Sequence, residues 1–302
     1  MTERGATSAK VDLHTGDASP APQWFQDAIA APHEAGQLDV EGASIEFRAW
    51  GERSKSGVLL MHGNSAHLGW WSFLAPLLAT DYRVVAFSFS GMGQSGWRDG
   101  YSIAQYMREA FAVCAATGAD EGGPPVFIGH SLGGYPVLHA AATSPHKLRA
   151  AIIVDSALAG SEMTETPSKP SGKTYPDLET AMTRFRFSPR QPCDNDFIVD
   201  HMARMALGQL PDGHWTWRFD PALGEGADMG DLWGDLARVQ VPLAVVRGAK
   251  SDLTAGAMER RIRQTAPPGT CFIEIPEAYH HVMADQPLAL VACLRALLAA
   301  WA

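Results

Sequence analysis

The stretch Val126-Phe127-Ile128-Gly129-His130-Ser131-Leu132-Gly133-Gly134 carries an apolar run straight into a small-residue helix pattern. Val126 to Ile128 read as a buried strand, and Leu132 to about Thr143 as a helix rich in Ala and Gly. Reversing a strand into a helix over so few residues forces the central residue into a strained conformation. Its neighbours two positions away must then be small, so that strand and helix can approach. A side chain at position 131 is thereby held out on the tip of the turn, in front of the free N–H groups of a helix start. An ordinary glycine-rich turn shares the Gly-x-Ser-x-Gly letters, but not the strand before them and the helix after.

The 302 residues are enough for one large α/β domain or two smaller ones, and 46% hydrophobic composition is ordinary for a globular chain. A net charge of −9 with no basic stripe argues against nucleic acid as a partner. The acidic excess is concentrated between residues 160 and 235, where it would mildly disfavour an anionic ligand. No apolar run approaches the roughly 18 residues of a membrane span, so no membrane partner is expected. The first ten residues have no signal-peptide pattern. The four cysteines, at 114, 193, 271 and 293, lack metal-site spacing and read as reduced thiols. A cytoplasmic protein is the expectation.

Residues 1 to about 20 are polar and proline-bounded and are expected to be mobile; with a short helix near residues 22–30 they make up an N-terminal extension, 1–35. Leu38 to Val40 and Ser44 to Trp50 alternate as two strands joined at Glu41-Gly42, a hairpin signal. From there the pattern becomes strand–helix alternation. Short apolar runs occur at 58–61, 83–87, 126–128, 151–154, 243–246 and 271–275. This predicts an α/β fold, a mainly parallel sheet covered by helices on both faces. Leu290, Leu294, Leu297, Leu298 and Trp301 fall on one face of a last helix. The gap between Val154 and Leu243 is too long for one loop. It reads as a helical cap insertion, 157–235, within a core of 36–156 and 236–302, with helices near 178–187 and 197–210.

A serine hydroxyl is a poor nucleophile until a base takes its proton, and the base needs a third group to orient it. The chain supplies both on loops after later strands: Asp252, six residues beyond Val246, and His280, before the final helix. The order Ser, Asp, His is that of a parallel hydrolase sheet. His62-Gly63-Asn64 ends another strand in a glycine turn, where the N–H of Asn64 and that of Leu132 can face one oxyanion. Asp155 also ends a strand and is a second candidate for the acid, with a buried structural carboxylate as its preferred role. His67, Trp70 and His130 are candidate substrate-pocket residues, with core packing the alternative for Trp70.

The chain resembles α/β-hydrolase-fold enzymes of the capped esterase and lactonase branch, from about Val40 to the C-terminus. The resemblance rests on His62-Gly63-Asn64, Gly91-Met-Gly93-Gln-Ser95, Gly129 to Gly134, Arg247-Gly248-Ala-Lys-Ser-Asp252 and His280 to Pro287. In similar enzymes the catalytic His lies seven residues before a proline that opens the last helix, which selects His280 over His281. The resemblance implies a serine hydrolase acting on a small to mid-sized, largely apolar ester or lactone through an acyl-enzyme, with no metal and no organic cofactor. Cofactor-free haloperoxidase or perhydrolase and carbon–carbon bond hydrolase share the triad and are the alternatives within the fold. A catalytically silent small-ligand receptor is the alternative of another class. Haloalkane dehalogenase and epoxide hydrolase need a carboxylate where Ser131 stands. One departure is Ser88-Phe-Ser90, where relatives usually carry Asp before the Gly91 turn.

Gly91-Met-Gly93-Gln-Ser-Gly96 matches a dinucleotide fingerprint by letter, but helical sequence resumes only near Ser102, whereas a phosphate site needs a helix starting on the glycines. The paired histidines 62/67 and 280/281 have no carboxylate or Cys at ligand spacing, so zinc is not expected. Oligomeric state has no signature in the sequence.

Overall fold

Helix α1 (Gln23–Ala30) leads into the predicted hairpin of β1 (Glu34–Val40) and β2 (Ala43–Trp50), with Val40 opposite Ala43. Glu41 and Gly42 both take positive φ, 50° and 84°, as a two-residue turn matched to strand twist requires. The computed structural model describes residues 21–158 and 172–301. Residues 1–20, expected to be mobile, and most of the Gly-, Pro- and Ser-bearing stretch 160–176 lie outside them.

The alternating region follows as β3 (Gly57–Met61), α2 (Ala75–Leu78), β4 (Arg83–Phe87), α3 (Ile103–Thr117), β5 (Val126–His130), α4 (Gly134–Thr143) and β6 (Ala150–Val154). An insertion then contributes α5 (Leu178–Met182), α6 (Asp196–Met205), the short strands β7 (Leu207–Gln209) and β8 (Trp215–Trp217), and α7 (Leu232–Ala237). The chain closes with β9 (Leu243–Gly248), α8 (Ala257–Thr265), β10 (Cys271–Ile275), α9 (Val282–Asp285) and α10 (Pro287–Ala300). The main sheet has eight strands in the order β1-β2-β4-β3-β5-β6-β9-β10. β2 is antiparallel to both its neighbours, and every pair from β4 to β10 is parallel.

Strands buried on both faces explain the continuous apolar runs. Val58 and Leu60 of β3 pack into one core with Val84, Ile128 and the α10 face of Leu290, Leu294 and Leu298. Leu59 and Met61 enter the other, with Phe87, Phe127 and Val113 of α3. Among the described residues, no helix is long and apolar enough to cross a membrane.

The missing Asp of the Gly91 turn is replaced from elsewhere in the fold. Glu109 of α3, fully buried, accepts the Ser90 N–H at 3.0 Å and the Arg98 guanidinium at 3.1 Å. Arg98 continues to the Ser90 hydroxyl and the Glu41 carbonyl, so one buried pair ties the turn to the hairpin. The helix after the Gly91 turn starts only at Ile103, capped by the Ser102 hydroxyl.

The insertion differs from expectation in two ways. The helix forecast to about 210 ends at Met205 and gives way to the β7–β8 hairpin, whose three-residue strands are too short for an alternation signal. α7 packs on α4 with Leu232 and Leu236 buried, so the chain is back against the sheet's helical layer before the expected boundary at 236.

Candidate active site

At the end of β5, a Cβ on Gly129 would collide with the Gly133 carbonyl, and one on Gly133 with the carbonyls of Met61 and His62. The close strand–helix approach read from the sequence is therefore real, and Ser131 between them takes φ of +52°. Its hydroxyl lies 3.1 Å from Nε2 of His280, which it reaches as a hydrogen-bond donor. Nδ1 of His280 donates to Oδ1 of Asp155 at 2.9 Å.

The carboxylate facing the imidazole is thus Asp155 at the end of β6, and not Asp252. Asp252 is exposed on the loop after β9. Its neighbours on that loop point inward: Ser251 Oγ donates to Asp155 Oδ1 at 2.6 Å, Thr254 Oγ1 to Oδ2 at 3.1 Å, and the Gly248 N–H to Oδ2 at 2.8 Å. With His280 these make four donors on one carboxylate that is 1% exposed. Asp155 also takes a positive φ, 45°, an uncommon conformation held by this network. In sequence both aspartates follow buried strands, and only the inward turn of Ser251 and Thr254 marks Asp155 as the carboxylate that faces His280.

The glycine turn after β3 lies against the same spot. A Cβ on Gly63 would be 3.2 Å from the Ser131 Cβ, which brings the Gly63–Asn64 peptide beside the serine. His62 shapes the turn, since its Nδ1–H donates to the Gly63 carbonyl at 2.7 Å and its Nε2 accepts the Phe89 N–H at 3.1 Å. Burial pushes its pKa down to about 4. Among the described residues, the Asn64 N–H has no acceptor. Leu132 follows the serine at the start of a helical turn, 131–133.

The three pocket candidates occupy different places. Both ring nitrogens of His67 are taken by backbone: Nε2–H donates to the Met202 carbonyl of α6 at 3.0 Å and Nδ1 accepts the Gly69 N–H. It ties the turn to the insertion, and burial lowers its pKa to about 3. His130 is buried behind the site, its Nε2–H donating to the His280 carbonyl at 2.9 Å. Trp70 packs edge-on to Phe187 of the insertion and to His281. Trp71 and Phe73 are fully buried core.

One cluster among the described residues could hold a metal ion: His130, His280 and His281 each bring a ring nitrogen within 4.8 Å of the others. Two of these rings are already committed, His130 to the His280 carbonyl and His280 to Asp155 and Ser131. His281 has the Ser188 backbone nearby but no hydrogen bond of ordinary geometry at either nitrogen.

A hydroxyl, an imidazole and a buried carboxylate in series can activate an oxygen nucleophile, with backbone N–H groups beside it to receive negative charge. Residues 58–292 match the alpha/beta hydrolase family. The chain is similar to the esterase Rv0045c of Mycobacterium tuberculosis, 27% identical over 86% of this chain and 88% of that protein. It is also similar to the lipase LipV of the same organism, 28% identical over 72% of this chain and 85% of that one. In fold it resembles the thioesterase domain of a curacin biosynthetic pathway, with a TM-score of 0.74 and 22% identity over 88% of this chain and all of that domain. The chain belongs to the alpha/beta hydrolase family.

Proposed function

We propose that the protein is a serine hydrolase that cleaves carboxylic esters or lactones through an acyl-enzyme, with Ser131, His280 and Asp155 as its triad. The observation that carries this is the unbroken series from Ser131 Oγ through the His280 ring to Asp155 Oδ1, at 3.1 and 2.9 Å. His280 takes the serine proton as Oγ attacks the carbonyl carbon, then passes it to the leaving alcohol as the tetrahedral intermediate collapses. Asp155 holds the Nδ1–H tautomer and stabilises the imidazolium. Water, deprotonated by the same imidazole, then attacks the acyl carbon and releases Ser131.

The Asn64 and Leu132 N–H groups bind the oxyanion. The seating of Gly63 against Ser131 supports the first, and its place directly after the nucleophile supports the second. The insertion between β6 and β9 serves as the cap. Phe187 beside Trp70 favours a small to mid-sized, largely apolar substrate.

The experiment is turnover of a short p-nitrophenyl ester together with labelling by a fluorophosphonate probe. Ser131→Ala is expected to abolish both. Wild-type turnover in that variant ends the proposal, and a wild-type protein that neither turns over esters nor takes the probe points instead to a ligand-binding role.

A further inference from the structure

His280 sits on a turn that no strand ladder supports, between the end of β10 at Ile275 and the start of α9 at Val282. Its ring is held by Asp155 and its carbonyl by His130. The backbone on either side is held by something else. The Tyr279 N–H donates to Asp285 Oδ2 at 2.7 Å, and the His281 N–H donates to Oε1 of Gln191 at 2.9 Å. Gln191 then joins the two, because its Nε2 donates to both Asp285 oxygens at 2.9 Å. A second amide from the same segment, Asn195 Nδ2, donates to the Ala284 and Asp285 carbonyls at 2.7 and 3.1 Å.

We infer that Gln191, acting with Asp285, is a positioning clamp supplied by the insertion, gripping the peptide groups before and after His280 so that its imidazole meets Ser131. The inference rests on the reading of His280 as the general base. Residues 191 and 285 are 94 positions apart in sequence, so the clamp exists only when the insertion is seated. The amide of Gln191 suits the task because one side chain both accepts from a backbone N–H and donates to a carboxylate. Two of its three atoms beyond Cγ are therefore engaged at one stroke.

The Ser131–His280 contact of 3.1 Å is at the long end of the range for proton transfer, so added slack in the turn carries His280 out of reach. Withdrawal of the 191–195 segment would take both side-chain amides off the turn that carries His280.

Gln191→Leu keeps the side chain's bulk and removes the three bonds that Gln191 makes, to both Asp285 oxygens and from the His281 N–H. It is expected to lower kcat about tenfold with KM within about twofold, as misplacement of a reacting group does. The rate of fluorophosphonate labelling should fall in parallel. A double-mutant cycle with Asp285→Ala should be non-additive, the pair losing no more than the worse single variant. A folded Gln191→Leu protein with wild-type kcat and labelling rate overturns the clamp, even while a dead Ser131→Ala variant leaves the serine mechanism standing. Should the variant not fold, hydrogen exchange of the wild-type protein decides. The segments 279–285 and 191–199 should exchange in one kinetic phase, and free exchange at 279–281 in the active enzyme refutes the proposal.

Discussion

Ser251 Oγ lies 2.6 Å from Asp155 Oδ1, so a hydroxyl beside Asp252 serves the acid on the neighbouring strand. The loop after β9 therefore holds the carboxylate that faces His280 without contributing one of its own. The two aspartates make opposite predictions. Asp155→Ala should reduce kcat by roughly 10³–10⁴-fold, the scale seen when a triad acid is lost. Asp252→Ala, at an exposed position, should stay within about twofold of wild type. Steady-state kinetics on one ester settles the assignment, and a large loss in the Asp252 variant would reverse it.

The hydroxyls on that loop should matter to rate more than to binding. Hydrogen bonds to a charged group are worth about 1.5–3 kcal/mol, and misorienting Asp155 is felt only when the imidazolium forms. Thr254→Val, which keeps shape, is expected to lower kcat roughly tenfold at constant KM. Thr254→Ser, which keeps the hydroxyl, should retain most of the activity. Equal kinetics for the Val and Ser variants would mean the 3.1 Å contact has no catalytic consequence.

The buried pair beneath the Gly91 turn predicts a loss of stability. Glu109→Ala leaves Arg98 and the Ser90 N–H without their carboxylate, and breaking one side of a buried pair typically costs about 3–5 kcal/mol. Chemical denaturation should therefore show a large drop in midpoint. A Glu109→Ala protein as stable as wild type would show that water replaces the carboxylate, and that the turn does not depend on it.

Ser131 and His280 were legible because their signals are local, a glycine-flanked turn and a spacing to the proline that opens α10. The choice between Asp155 and Asp252 was not local. Both follow buried strands, and what separates them is which loop packs inward, a matter of Ser251 and Thr254 turning toward β6. Glu109 was invisible for a similar reason, since one acid on an amphipathic helix looks like any other until its tertiary partner is known. Gln191 lies in an insertion with little periodicity, and its relation to the His280 turn exists only in three dimensions. The tie His67 makes between the turn after β3 and the insertion is likewise tertiary, since the partner of its Nε2–H, the Met202 carbonyl, lies 135 positions away.

Buried neutral histidines give the protein a defined acid sensitivity. Burial lowers the pKa of His62 and His201 to about 4 and of His67 to about 3, and holds His130 and His281 well below the ordinary value of 6.5. As pH falls below 6.5, the unfolded chain binds protons at these positions and the folded chain does not. Their stabilising contribution is complete above the unfolded pKa and is lost on descending toward the folded one. Asp285 works the other way. Burial raises its pKa from 3.8 to about 6, so it favours folding as pH falls through that window and offsets one histidine there. The balance predicts a steep fall in unfolding free energy between pH 6.5 and 4. His67→Gln keeps a donor for the Met202 carbonyl and an acceptor for the Gly69 N–H but cannot titrate. Each histidine contributes about 1.4 kcal/mol per pH unit within its window, so the wild type should lose about 2 kcal/mol more than the variant between pH 6.5 and 5. Urea unfolding at the two pH values measures the difference, and identical losses would show that His67 takes up its proton in the folded protein as readily as in the unfolded chain.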